Sequence, residues 1–261
     1  MNFKSYPKIN LMLLVSKKSK KNNLHKIVSL FFLVKDSLFD EIFIDFNTIA
    51  KNEISYYDYK NKKNLFLGDC IFIKAINLLK KNKIIEENIF FKISVKKKLP
   101  LFSGLGSGSS NAACLFLFLL KNKKIKMNKK TKKTILKISS DLMFFIKQYT
   151  CAKVFNYGEK VRKVNLKNNI KVKLFFNNIR CSSKEVFDYF DNNTLNKKNY
   201  YLNQFLYFKI IRNKNYRNDL QISAFSLYKD LFVEYEKLKK ENNKEIFLSG
   251  SGGTFFLIQS D

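Results

Sequence analysis

Eight glycines serve the whole 261-residue chain, and six of them fall in two short stretches. Gly104, Gly106 and Gly108 alternate with other residues inside Pro100 to Ala113, PLFSGLGSGSSNAA. Gly250, Gly252 and Gly253 lie in LSGSGGT near the C-terminus. Glycine gathered in this way marks backbone that turns tightly or approaches another group closely. Ser103, Ser107, Ser109 and Ser110 lie among the first set, and AACLFLFLL follows at once, so the stretch reads as a polar loop opening an apolar helix. The free amides of a helix's first turn and the positive end of its dipole then face one place, which suits an anion. The loop is not a Walker loop, because no lysine follows its glycines, and its glycine spacing is not that of the dinucleotide fingerprint. Taken alone, a plain strand–turn–helix connection stays open beside the phosphate-loop reading.

The flanking sequence supplies the strand and the helix. NIFFKISVK alternates apolar and polar residues up to Pro100, a half-buried strand. Further strands are expected at Lys8–Ser16, Ile27–Val34, Glu41–Phe46, Ile170–Phe176, Glu245–Leu248 and Thr254–Ile258, with a hairpin over Cys151–Val164 turning at Gly158. Asn52–Phe66 reads as loop or edge structure, Lys121–Lys133 as an exposed connection and Asn192–Asn199 as a polar linker. Helices are expected at Asp69–Leu79 with Asp69 as N-cap, at Thr134–Lys147 as one buried helix, and at about Tyr200–Ile211 and Asp219–Lys239. Strands and helices mix without strict alternation, so the class is α+β.

Composition narrows the chemistry. Apolar residues make up 46% of the chain and 27 residues are phenylalanine, enough for a real core. Fifty Lys+Arg against 21 Asp+Glu give a formal charge of +29. That charge admits a polyanion partner, but the lysines are spread along the chain with no nucleic-acid motif, and a lysine-rich solvated surface explains them as well. Cys70, Cys114, Cys151 and Cys181 form no CxxC pair and His25 is the single histidine, so neither a disulfide framework nor a zinc site is expected. No signal peptide and no membrane span are visible, and a cytoplasmic protein is the expectation.

As a whole, PLFSGLGSGSSNAA resembles the phosphate loop of the GHMP small-molecule kinases, usually PxxxGLGSSAA. With one residue more, it is similar to the GLGGGSSNAA loop of one branch, the 4-diphosphocytidyl-2-C-methyl-D-erythritol kinases, Ser107 standing for the middle glycine. Further matches follow in chain order. Tyr6–Leu11 resembles PAKINLFL, Leu24–His25 resembles GYH, and Ser140–Phe145 resembles GADVPFF without its proline. Tyr157–Glu159 resembles GxGE, Ser182–Phe187 resembles STxEVF, Asn218–Leu220 is NDL, and Leu248–Gly252 resembles MSGSG. Three positions depart from the pattern: Phe102 stands where a small residue is usual, Leu24 replaces an aromatic, and Cys70 replaces an asparagine near the adenine.

The resemblance implies a two-domain GHMP kinase fold with the active-site cleft between an ATP-binding domain (1–155) and a substrate-side domain (156–261). It implies ATP-dependent phosphorylation of the 2-hydroxyl of the cytidine diphosphate-linked methylerythritol, in the non-mevalonate route to isoprenoid precursors, by a monomer or homodimer. Pro100, Leu101, Phe102, Ser103, Gly104, Leu105, Gly106, Ser107, Gly108, Ser109, Ser110 and Asn111 would hold ATP, with Mg2+ bridging its phosphates and no protein carboxylate as metal ligand. Asp141 would be the general base and Lys8 would pair with it and stabilise the transferred group. A carboxylate inside the apolar run Ile138–Phe145 is costly unless paired, which by itself singles out Asp141. Nothing local singles out Lys8. Asn10, His25, Ser183 and Phe187 would contact the substrate. Another GHMP kinase acting on a small alcohol such as homoserine, or a degenerate kinase scaffold binding polyanions, remains open at this point.

Overall fold

The computed structural model describes residues 1–20, 23–66, 68, 70–166, 170–193 and 217–259. Among them are twelve strands and seven helices, divided into two compact units that alternate along the chain. The first unit comprises Met1–Pro7, Ser37–Pro100 and Gly106–Gln148; the second comprises Lys8–Asp36, Leu101–Leu105 and Tyr149–Asp261.

The first unit is a five-stranded sheet covered by helices. Its strands are β1 (Asn2–Ser5), β4 (Asp40–Phe46), β5 (Glu53–Asp58), β6 (Lys63–Leu65) and β7 (Phe91–Lys97), in the order β1-β4-β7-β5-β6. The β5–β7 pairing is parallel and the others are antiparallel. The segment Asn52–Phe66 thus forms a two-stranded extension to the sheet edge. The alternation of β7 sends Phe91, Ile93 and Val95 inward, where they meet Ile42 and Ile44 of β4 and the helices. Helix α1 (Ile71–Lys81) buries Phe72, Ala75, Ile76 and Leu79, an i, i+3, i+4, i+7 stripe. It begins at Cys70, which makes no side-chain cap; Asp69, the expected cap, lies outside the described residues. Helix α2 (Ser107–Lys121) is buried almost all round, as AACLFLFLL requires.

Strand parity also buries a charge. Lys97 is the last inward position of β7, and Asp40, the first residue of β4, is fully buried beside it. Lys97 Nζ donates to Asp40 Oδ2 at 2.5 Å, while Asp40 Oδ1 accepts the amides of Lys98 and Leu99 at 2.8 and 2.9 Å. Burial pulls the Lys97 ammonium below the usual lysine range and Asp40 opposes that pull. Asp40→Asn is expected to cost about 3 kcal/mol in urea unfolding, because it strands a buried ammonium. Adding Lys97→Met should recover most of that loss.

The run Thr134–Lys147 is two helices, not one. Helix α3 (Lys129–Ile138) starts at Asn128, whose side chain accepts from Thr131 N, and ends where Ser139 turns extended (φ −161°, ψ 144°). Helix α4 (Leu142–Lys147) starts afresh after Asp141. Asp141 is therefore half-buried at a break between helices, not enclosed in an apolar helix, and the desolvation cost inferred from the sequence does not apply there.

The second unit holds two sheets. One is β2 (Lys8–Lys18), β3 (His25–Leu33), β8 (Cys151–Asn156) and β9 (Lys160–Lys163), antiparallel in that order. The other runs β10 (Lys171–Phe176), β12 (Thr254–Gln259), β11 (Phe247–Leu248). Helices α5 (Ser183–Asn193), α6 (Gln221–Leu227) and α7 (Lys229–Asn242) pack Val186, Ala224, Leu231 and Leu238 with Leu13, Val15, Leu248, Phe255 and Leu257. The expected long helix over Asp219–Lys239 is thus broken at Tyr228, whose hydroxyl accepts Ser182 N and donates to Glu185. Helix α5 continues to Asn193, into the start of the expected linker. The helix expected at Tyr200–Ile211 lies outside the described residues. All four cysteines are free and buried.

Candidate active site

In the first unit the functional groups gather at the start of α2. Gly106, at φ 66°, ends the loop in the left-handed region, and no side chain caps the helix it opens. The first-turn amides are therefore left to a ligand or solvent. Two of the serines are committed to the protein. Ser5 Oγ lies 2.7 Å from both Ser110 Oγ and Asn111 Oδ1, tying the end of β1 to α2. Ser109 Oγ lies 2.6 Å from Ser139 Oγ, which also accepts the Asp141 amide at 3.3 Å. Ser107 makes no side-chain hydrogen bond among the described residues. The Asp141 carboxylate does not cap α4, and Ser140 Oγ donates to its Oδ1 at 3.4 Å.

In the second unit the two glycine clusters meet. Gly104 has φ 71°, and a Cβ there would lie 2.1 Å from Ser249 O and 2.8 Å from Gly252 O. Ser249 Oγ donates to Gly104 O at 3.2 Å. The C-terminal turn is held in place by Asn218, whose Nδ2 donates to Leu248 O and Gly250 O at 2.9 and 2.8 Å. Asp219 beside it accepts Val15 N, which fixes the NDL segment to β2. Phe102 has φ 55° and is exposed, and its carbonyl accepts Cys181 N. A left-handed phenylalanine is strained, and glycine is the residue that adopts this backbone without that cost.

Lys8 sits at this junction. It is 4% exposed, and its Nζ donates to Asn10 Oδ1 at 2.6 Å and to Gly104 O at 3.2 Å, over the Phe31 ring at 4.7 Å. Residues 8 and 10 share a strand face, and Asn10 Nδ2 in turn donates to Ser29 Oγ at 2.9 Å. The sequence offered no local signal for Lys8. Its burial is the signal: among the described residues Lys8 and Lys97 are the buried lysines.

The other proposed substrate contacts lie in the same unit. Ser183 Oγ is 2.7 Å from Ser251 Oγ in the C-terminal glycine turn. Four residues along α5, Phe187 stands 4.9 Å from the His25 ring. His25 Nδ1 donates to Ser16 O at 2.8 Å, and Nε2 is 3.3 Å from Asp191 Oδ2. A planar base does not fit between rings this close. Asp191, Ser139 and Ser5 are contacts that no motif in the sequence announces, because each meets a partner far away in the chain.

The family model of the GHMP kinases N terminal domain matches residues 71–148, which contain α1, the glycine-loop helix and Asp141. A 4-diphosphocytidyl-2-C-methyl-D-erythritol kinase of Ureaplasma parvum serovar 3 is 29% identical over 99% of this chain and 96% of its own. The kinase of the same name from Ureaplasma urealyticum serovar 10 is 30% identical over the same shares. The chain belongs to the 4-diphosphocytidyl-2-C-methyl-D-erythritol kinase family. A solved 4-(cytidine 5'-diphospho)-2C-methyl-D-erythritol kinase superposes with a TM-score of 0.71 at 20% identity, covering 98% of this chain and 89% of that one, which shows the GHMP kinase fold. In this member of the erythritol kinase family, the position expected to hold an asparagine at the start of α1 is the buried Cys70. The exposed Leu24 precedes His25 where an aromatic is usual. No described helix is long and apolar enough to cross a membrane.

Proposed function

We propose that the chain transfers the γ-phosphoryl group of ATP to the 2-hydroxyl of 4-diphosphocytidyl-2-C-methyl-D-erythritol, a step in isoprenoid-precursor synthesis by the non-mevalonate route. The observation that carries this reading is the buried ammonium of Lys8 against the carbonyl of Gly104. A desolvated cation fixed on a glycine loop stabilises negative charge on phosphate oxygens more strongly than it would in water.

Residues Pro100–Asn111 cradle the triphosphate, with the uncapped amides of α2 directed to the β- and γ-phosphates. The Ser107 hydroxyl would be a protein ligand for magnesium, which when bound would supply charge neutralisation on the phosphates. Asp141 orients the acceptor hydroxyl and takes its proton as that oxygen bonds to the γ-phosphorus. The bond from the γ-phosphorus to the bridging oxygen breaks and ADP leaves. Lys8 stabilises the transferred group. Asn10 and Ser183 hold the sugar or phosphate end of the acceptor, and the His25–Phe187 pair meets its pyrimidine. On this reading residues 1–155 are the ATP-binding domain, lending Asn10 and His25 to the acceptor, and residues 156–261 are the substrate-side domain.

An assay of ADP production with the cytidyl substrate and magnesium ATP tests the reaction. CMP and CDP are expected to inhibit competitively against the cytidyl substrate. Turnover that ignores cytidine nucleotides would sink the choice of acceptor.

A further inference from the structure

Ser139 links the phosphate helix to the proposed base. Its hydroxyl is 2.6 Å from Ser109 Oγ on α2 and accepts the backbone amide of Asp141 at 3.3 Å. One hydroxyl oxygen donates once and accepts twice, so Ser139 can serve both neighbours together. Its own place is fixed independently. Its amide donates to Ile135 O at 3.1 Å, its extended backbone ends α3, and Lys74 Nζ holds the neighbouring Ile138 carbonyl at 2.9 Å. The Asp141 carboxylate makes no cap on α4 and accepts from Ser140 Oγ at 3.4 Å, while its backbone amide is held by the Ser139 hydroxyl.

We infer that Ser139 is a positioning residue for phosphoryl transfer, setting the register between the phosphate-holding helix and the Asp141 carboxylate. The inference rests on the proposed role of Asp141. In-line transfer needs the acceptor oxygen and the γ-phosphorus in a near-attack arrangement, and small misplacements are costly. Two hydrogen bonds through one hydroxyl, at 2.6 and 3.3 Å, tie the backbone of the base to α2 in addition to the half-buried turn 139–141.

The test compares Ser139→Ala, Ser139→Thr and Ser109→Ala/Ser139→Ala in the full chain. Ser139→Ala is expected to lower kcat about tenfold while both KM values stay within about twofold and the thermal midpoint is little changed. Ser139→Thr keeps the hydroxyl, and its β-branched side chain suits the extended backbone, so it is expected to restore kcat to near wild type. If Ser139 acts through Ser109, Ser139→Ala placed in a Ser109→Ala background adds little further loss. A kcat for Ser139→Ala within twofold of wild type overturns the inference, as does Ser139→Thr performing no better than Ser139→Ala. Asp141→Asn run alongside separates the two claims. If it stays active the role of Asp141 itself fails; if it is dead while Ser139→Ala is unaffected, only the inference about Ser139 falls.

Discussion

Asp141→Asn is expected to lower kcat by about 10³-fold, the scale of losing a positioned general base, with the unfolding midpoint unmoved. The amide matches the carboxylate in shape but is neutral and cannot take up the acceptor's proton. Because Asp141 is half-buried at the α3–α4 break and does not cap α4, the exchange removes no helix cap. Thermal unfolding followed by circular dichroism checks the fold, and single-turnover measurement of phosphoryl transfer checks the chemistry. A variant that retains full turnover would remove Asp141 from the mechanism.

Gly104→Ala is expected to destabilise the protein by about 4 kcal/mol, combining the cost of a left-handed alanine with a clash against fixed backbone. The added methyl would sit 2.1 Å from the Ser249 carbonyl oxygen and 2.8 Å from that of Gly252, and neither belongs to a side chain that could swing away. Either the two glycine clusters separate or the chain fails to reach its native state. Separation would move the carbonyl that accepts Lys8 Nζ and Ser249 Oγ, so any surviving fraction should also lose affinity for ADP in calorimetry. By contrast Gly108→Ala, whose Cβ would meet only the end of Ile71 at 3.9 Å, is the matched control.

Much of this was written into local sequence. Alternation placed β7, the i, i+3, i+4 stripe placed α1, and the run of glycine and serine before AACLFLFLL placed the start of α2. The helix breaks were not legible. Neither Ser139 nor Tyr228 is a glycine or proline, and each interrupts a run whose apolar pattern continues across it, so the break is imposed by tertiary partners. The four residues of β1 were missed because they are too few to show a period. Lys8 was one basic residue among fifty until the fold buried it. Its role in the site depends on Asn10 and Gly104, and the latter is 96 residues away.

The carbonyl of Gly104 has a consequence for how the molecule is made. It accepts one hydrogen bond from a lysine near the start of the chain and another from a serine 145 residues further on. A nascent polypeptide leaving the ribosome exposes Lys8 first and Gly104 well before Ser249. Its loop residues 101–105 therefore wait, without the glycine turn that they pack against, until residues 249–253 have been synthesised. Long-range closure of this kind slows folding, and chains released early would lack the completed loop however well their local helices form.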